Sequence, residues 1–166
     1  MGAYDDVFVA LDAAGVRYVV VGGVAVVLRG HARLTVDLDL VVDLAEEAAH
    51  ATVDALLSLG LLPRLPVDPH EFADAAKRRD WIDNRNLQVF SFYDPGNPLR
   101  EVDVFAEHPL AFDELHADAS AVMLGGVRVP VASVAHLILM KRSAGRPQDL
   151  EDIAALMALP KQANGD

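Results

Sequence analysis

The chain has 166 residues, 52% hydrophobic and 23% charged, a balance that predicts one folded domain with a sizeable core. A net charge of −11 argues against a broad basic surface for duplex nucleic acid, and the lack of cysteine excludes disulfides and thiolate metal sites. The amino terminus lacks a basic segment followed by an apolar run. No apolar stretch reaches the roughly 18–20 residues of a membrane span, so a cytoplasmic, non-membrane protein is expected.

"YDDVFVALDAAG" places Val7, Phe8, Leu11 and Ala14 on one helical face, with Gly15 ending the helix. "VRYVVVGG" is a short buried strand closing on Gly22-Gly23, and "VAVVLRG" is a short helix. "RLTVDLDLVVD" follows as a strand with Asp37 and Asp39 in its middle, and "LAEEAAHATVDALLSLG" is an amphipathic helix. Residues 61–86 are irregular and carry three prolines, with a helix expected from Pro69 to about Asp80. "LQVFSFY" and "LREVDVFAE" flank the turn "DPGNP" as a β-hairpin, and "VMLGGVRVPVAS" forms a smaller one. Two helices, "SVAHLILMKRSAG" and "PQDLEDIAALMAL", close the chain. These elements predict a single α+β domain over residues 1–159, a mixed β-sheet flanked by helices with helices at the C-terminus. Residues 160–166 are expected to fray.

Strand residues two apart share a face, about 6–7 Å apart along the chain. Asp37 and Asp39 therefore point one way, and Val36, Leu38, Leu40 and Val42 point into the core. In "EVDVF", Val102 and Val104 face one side while Glu101, Asp103 and Phe105 face the other. If the hairpin lies beside the Asp37 strand, three aspartates converge. Gathered carboxylates raise one another's pKa, and a hard divalent cation relieves them by taking their oxygens. The plainer alternative puts Asp37 and Asp39 on a solvated sheet face, with Asp103 unrelated.

Three further features bear on that choice. Gly22-Gly23 sits where a strand turns into a helix, which suits either a close approach to phosphate or a plain turn. Lys141 ends an apolar stripe of Val134, Leu137 and Ile138, so it either reaches solvent or meets an anion in a cleft. Pro147 opens a helix whose expected buried face is Leu150, Ile153, Ala154 and Met157. Asp149, Glu151 and Asp152 are expected simply to answer the dipole of its first turn.

Taken together, "VVVGGVAVVLRG…RLTVDLDLVVD", "EVDVF" and "KRSAGRPQDLEDIAAL" resemble the DNA polymerase β-like nucleotidyltransferase superfamily over residues 17 to 157. The similarity is to its small prokaryotic branch, the abortive-infection (AbiEii-type) toxin nucleotidyltransferases and the aminoglycoside and lincosamide nucleotidyltransferases. Many members carry Gly-Ser where this chain has Gly22-Gly23, and the Gly-Gly pair resembles the resistance enzymes.

The resemblance implies a catalytic set of Asp37, Asp39 and Asp103. These would ligate two Mg²⁺ or Mn²⁺ ions while Gly22 and Gly23 hold a triphosphate. It implies transfer of an NMP from an NTP to an acceptor hydroxyl with release of pyrophosphate, Asp103 serving as general base. Three aspartates and a triphosphate outweigh two such ions by roughly three negative charges, which Lys141, Arg33 and Arg146 are expected to offset. Arg33 is equally well read as an ordinary loop arginine.

A small molecule or a protein is favoured over tRNA as acceptor. "KRRDWIDNR", with Trp81, is either a local basic and stacking patch or, preferably, a solvated helix end. Two other functions compete: an inactive nucleotidyltransferase-like binding module or toxin–antitoxin component, and a haloacid-dehalogenase-like phosphatase using the D-x-D pair. The phosphatase fold would place that pair on the first of alternating strands. An EF-hand reading of "DLDLVVDLAEE" fails because the loop lacks its central glycine.

Overall fold

The computed structural model describes residues 2–160. Seven strands form one mixed sheet: β1 (Tyr18–Val21), β2 (Leu38–Val42), β3 (Leu62–Pro63), β4 (Val89–Asp94), β5 (Asn97–Phe105), β6 (Ser120–Leu124) and β7 (Val127–Val131). Their spatial order is β3-β4-β5-β2-β1-β7-β6. The helices are α1 (Asp5–Ala13), α2 (Gly22–Leu28), α3 (Glu46–Ser58), α4 (Ala75–Arg85), α5 (Phe112–Asp118), α6 (Val134–Ala144) and α7 (Pro147–Ala158). The expected tail lies, apart from Pro160, outside the described residues. Among those residues no helix is long and apolar enough to cross a membrane.

The two most apolar runs become the central strands because only there are both faces covered. Every residue of β1 is buried, and Asp39 alone in β2 is not. β2 runs antiparallel to β1 and parallel to β5, with Asp39 opposite Asp103. The other neighbour of β1, β7, runs parallel to it. This mixed order, with the D-x-D pair arriving on the second strand, does not match the alternating parallel arrangement that the phosphatase alternative needs.

Residues 61–86 acquire a role that their sequence pattern does not reveal. β3 extends the sheet by pairing with β4. A 3-10 turn over Pro69–Ala73 and then α4 bring Phe72 and Trp81 against Phe90, with ring centroids 5.2 and 5.4 Å away. The single helix expected from Pro69 to about Asp80 is therefore two pieces. The break is at Asp74, whose carboxylate caps α4 by accepting from the Ala76 and Lys77 amides.

Five further points differ from expectation. Ala14 is exposed at the end of α1, where Gly15 turns the chain at φ +69°. Val36 is 45% exposed rather than in the core, because the strand begins only at Leu38. α2 starts at Gly22 itself, and α5 fills a stretch with no expected element. The face of α7 is also rotated. Leu150 and Met157 are 60% and 58% exposed and Ala154 is exposed, whereas Asp149 and Asp152 are buried with Ile153 and Leu156.

Candidate active site

β1 ends at Val21 opposite Asp39, and the chain turns at Gly22 directly into α2. Gly22 adopts φ +67°, and a Cβ there would lie 2.0 Å from Asp39 Oδ2. A Cβ on Gly23 would lie 2.4 Å from Thr35 Oγ1 and 2.9 Å from Arg33 Nη2. The glycine pair thus leaves room for the carboxylate of β2 and for the irregular segment that precedes it. That segment is tethered by the Tyr4 hydroxyl, which donates to the Val36 carbonyl at 2.5 Å and has the Glu101 carbonyl 3.1 Å away as a second acceptor.

Asp37, Asp39 and Asp103 gather at this end of the sheet, from the edge of β2, from β2 and from β5. Burial pushes Asp39 up to about 7, with Asp103 and Asp37 adding repulsion and Lys141 and Arg146 relieving part of it. Asp103 is also raised by burial, eased by the Ser91 hydroxyl opposite it on β4 and raised again by Glu101 and Asp37. Asp37 is raised by burial and by Glu101, against the charge of Arg64.

These shifts bring in two residues to which the sequence assigned no role in the site. Glu101 is a fourth carboxylate, two residues before Asp103 on the same face of β5. Arg64, just past β3, grips it in a fork, with Nε–Oε1 at 2.8 Å and Nη2–Oε2 at 3.0 Å, and lies over the Tyr93 ring. Period-2 alternation already places Glu101 on the Asp103 face. Arg64 has no local signal, since its position depends on β3 joining the sheet edge.

The expected cations do line the same cleft, a cavity of about 270 Å³ whose walls include Gly22, Gly23, Asp37 and Asp39 together with Arg33, Lys141 and Arg146. They are not free. Lys141, 6% exposed, places Nζ 2.9 Å from Asp152 Oδ2 and 3.5 Å from Asp149 Oδ1. Arg33 reaches Asp152 with Nη2 and Nε both at 3.0 Å, although Nε lacks hydrogen-bond alignment. Arg146 Nε donates to Asp149 Oδ2 at 2.8 Å. The expectation that Asp149 and Asp152 merely answer the helix dipole is therefore overturned. Three cations meet two buried carboxylates, so this cluster by itself carries one net positive charge and faces Asp37 and Asp39 on the same walls.

A second cavity of about 970 Å³ shares Gly22, Asp39, Lys141 and Arg146 with the first and reaches Asp103. Ile82, Leu87, Phe105, Leu110 and Met140 supply apolar walls, with Asn86 and Gln88 among the polar groups. The stacking patch imagined around Trp81 does not exist. Trp81 is 3% and Arg78 7% exposed, and Arg79 pairs with Asp83 and Glu107. The preferred solvated helix end fails for Trp81 and Arg78 as well.

The donor chemistry of the three aspartates suits a hard divalent ion, and Asp103 Oδ1 is a buried acceptor without a hydrogen-bond partner. Among the described residues, no group of three His, Cys, Asp or Glu side chains is closed up enough to hold a metal by itself.

No protein-family model and no curated protein sequence matches the chain. Solved structures do. The lincomycin-bound lincosamide antibiotic adenylyltransferase LnuA aligns at TM-score 0.60 and 16% identity, over 93% of this chain and 96% of that one. The antibiotic-resistance factor ANT(2'')-Ia aligns at TM-score 0.58 and 14% identity, over 91% and 78%. An antigenic nucleotidyltransferase-like protein from Paracoccidioides brasiliensis aligns at TM-score 0.56 and 18% identity, over 98% and 80%. At these identities the likeness is one of fold, a nucleotidyltransferase-like α+β arrangement.

Proposed function

We propose that this chain, built on a nucleotidyltransferase fold, moves an NMP from an NTP to a hydroxyl of a small-molecule acceptor and releases pyrophosphate. The observation that carries the reading is the register Asp39 opposite Asp103 on adjacent parallel strands, with Gly22 packed on Asp39. That arrangement gathers acid, glycine turn and cationic cleft at one end of the sheet.

In this reading Gly22, Gly23, Arg33, Lys141 and Arg146 hold the triphosphate in the smaller cavity. Asp37, Asp39 and Asp103 would hold two divalent ions, which when bound neutralise the phosphates and orient the reacting phosphorus. The acceptor hydroxyl, in the larger cavity, attacks the α-phosphorus in line, and the bond to the pyrophosphate oxygen breaks. The hydroxyl proton passes to Asp103, which lines the larger cavity where the acceptor sits.

Cavity size and wall chemistry support a small acceptor, about 970 Å³ being ample for a drug-sized molecule. A tRNA acceptor is disfavoured because the cations beside the site are already paired and Trp81 is buried.

The test is a matrix of each NTP against lincosamide, aminoglycoside, protein and tRNA acceptors with Mg²⁺ or Mn²⁺, following pyrophosphate. Turnover is expected with a small-molecule acceptor and is abolished by Asp37→Ala and by Asp39→Ala. Equal turnover in those variants refutes the site. Nucleotide binding without pyrophosphate release in every combination would favour an inactive binding module.

A further inference from the structure

We propose that Asp152, seconded by Asp149, is a positioning residue: the first two turns of α7 hold the cations of the smaller cavity in the geometry that receives a triphosphate. The inference rests on the nucleotide reading above and assigns a role to two residues outside the catalytic set.

Asp152 is fully buried and Asp149 is 1% exposed, yet each carries several partners. Asp152 accepts from Arg33, from Lys141 and from Gln148 Nε2 at 3.2 Å. Asp149 accepts from the Arg146 backbone amide at 3.0 Å and from its guanidinium at 2.8 and 3.2 Å, with Lys141 Nζ at 3.5 Å. The three cations come from separate places: the irregular segment before β2, the last turn of α6, and the turn between α6 and α7. Apart from the neighbouring Leu34 carbonyl, Asp152 is the recorded side-chain partner of Arg33. Lys141 is a buried ammonium whose partners are the Asp152 and Asp149 carboxylates.

Two effects of removing the Asp152 charge oppose one another. The cleft would become more positive, which alone strengthens anion binding. Arg33 and Lys141 would lose the group that holds them, which weakens it. Arg33 has no regular secondary structure behind it, and the recorded distances tie both Arg33 and Lys141 to Asp152, so preorganisation dominates.

The experiment measures binding of an NTP, its diphosphate and its monophosphate in Mg²⁺ to the full chain and to Asp152→Asn, Arg33→Ala and their double variant, with circular dichroism as the folding check. Asp152→Asn is expected to weaken the triphosphate about ten- to a hundredfold, the worth of one or two charge-assisted hydrogen bonds, and to leave the monophosphate nearly unchanged. The double variant should lose much less than the product of the two single losses. Equal or tighter triphosphate binding by Asp152→Asn, a uniform loss for all three nucleotides, or independent effects of the two substitutions would each overturn the inference. If Asp152→Asn does not fold, Arg33→Ala decides, since a triphosphate-selective loss is required of it as well. Failure of the unmodified chain to bind any triphosphate refutes the underlying reading itself, which separates the two failures.

Discussion

Replacing Asp39 by asparagine should make the free protein more stable while destroying its activity. The folded protein raises the Asp39 pKa from 3.8 to about 7, chiefly by burial. A shift of roughly three units corresponds to at most about 4 kcal/mol of cost to the charged form. Because the folded value is the higher one, the cost is absent below about pH 4, grows between about pH 4 and 7, and is complete above that. Asparagine keeps the shape beside Gly22 and removes the charge that Asp103 and Asp37 repel. With about 2–4 kcal/mol released, melting at about pH 8 should rise by roughly 5–15 °C over the parent. The assay is thermal denaturation in a chelator without nucleotide, at about pH 8 and about pH 4. The two proteins should converge at the acid end. A less stable variant at the alkaline pH, or an equal offset at both, would refute the assignment of Asp39 as a strained buried carboxylate.

The remaining predictions concern the glycines, the ion network and the aromatic cluster. Gly22→Ala, with its Cβ 2.0 Å from Asp39 Oδ2 and φ +67°, should cost at least about 2 kcal/mol in denaturant unfolding and abolish turnover. Gly23→Ala meets mainly the Thr35 and Arg33 side chains, so its loss should fall on nucleotide affinity more than on stability. In Asp152, burial acts upward, but the hydrogen bond and charge of Lys141, with Gln148 and Arg33, hold its pKa below the ordinary value. Its stabilisation is therefore present above about pH 4 and fades in acid, so Asp152→Asn should be destabilising at neutral pH by about 3–5 kcal/mol and converge with the parent on acidification. A gap independent of pH would show that packing, not charge, accounts for the loss. Trp81→Ala should cost about 3–5 kcal/mol in chemical unfolding, as expected for a core aromatic and not for a nucleic-acid platform. Weakened RNA binding with unchanged stability would reverse that conclusion.

Local pattern alone made the central elements legible. Strands β1, β2 and β5 carry continuous or alternating apolar residues that can be satisfied in few other ways, and Gly22-Gly23 marks a turn wherever the chain goes. Alternation also places Asp39 and Asp103 on faces opposite to their apolar neighbours, and the two hairpins follow from their turn residues. Where local periodicity was followed into α7 it chose the wrong face. Leu150, Ala154 and Met157 form an apolar stripe as regular as the buried one, and only Arg33 and Lys141, arriving from distant segments, turn Asp149 and Asp152 inward. The same holds for Arg64 and Glu101, paired across 37 positions of sequence by the addition of β3 to the sheet edge. Residue types and their alternation are one-dimensional and fix what a segment can bury. The partner that neutralises a charge is chosen by strand order and helix docking, which are set by contacts between segments far apart along the chain.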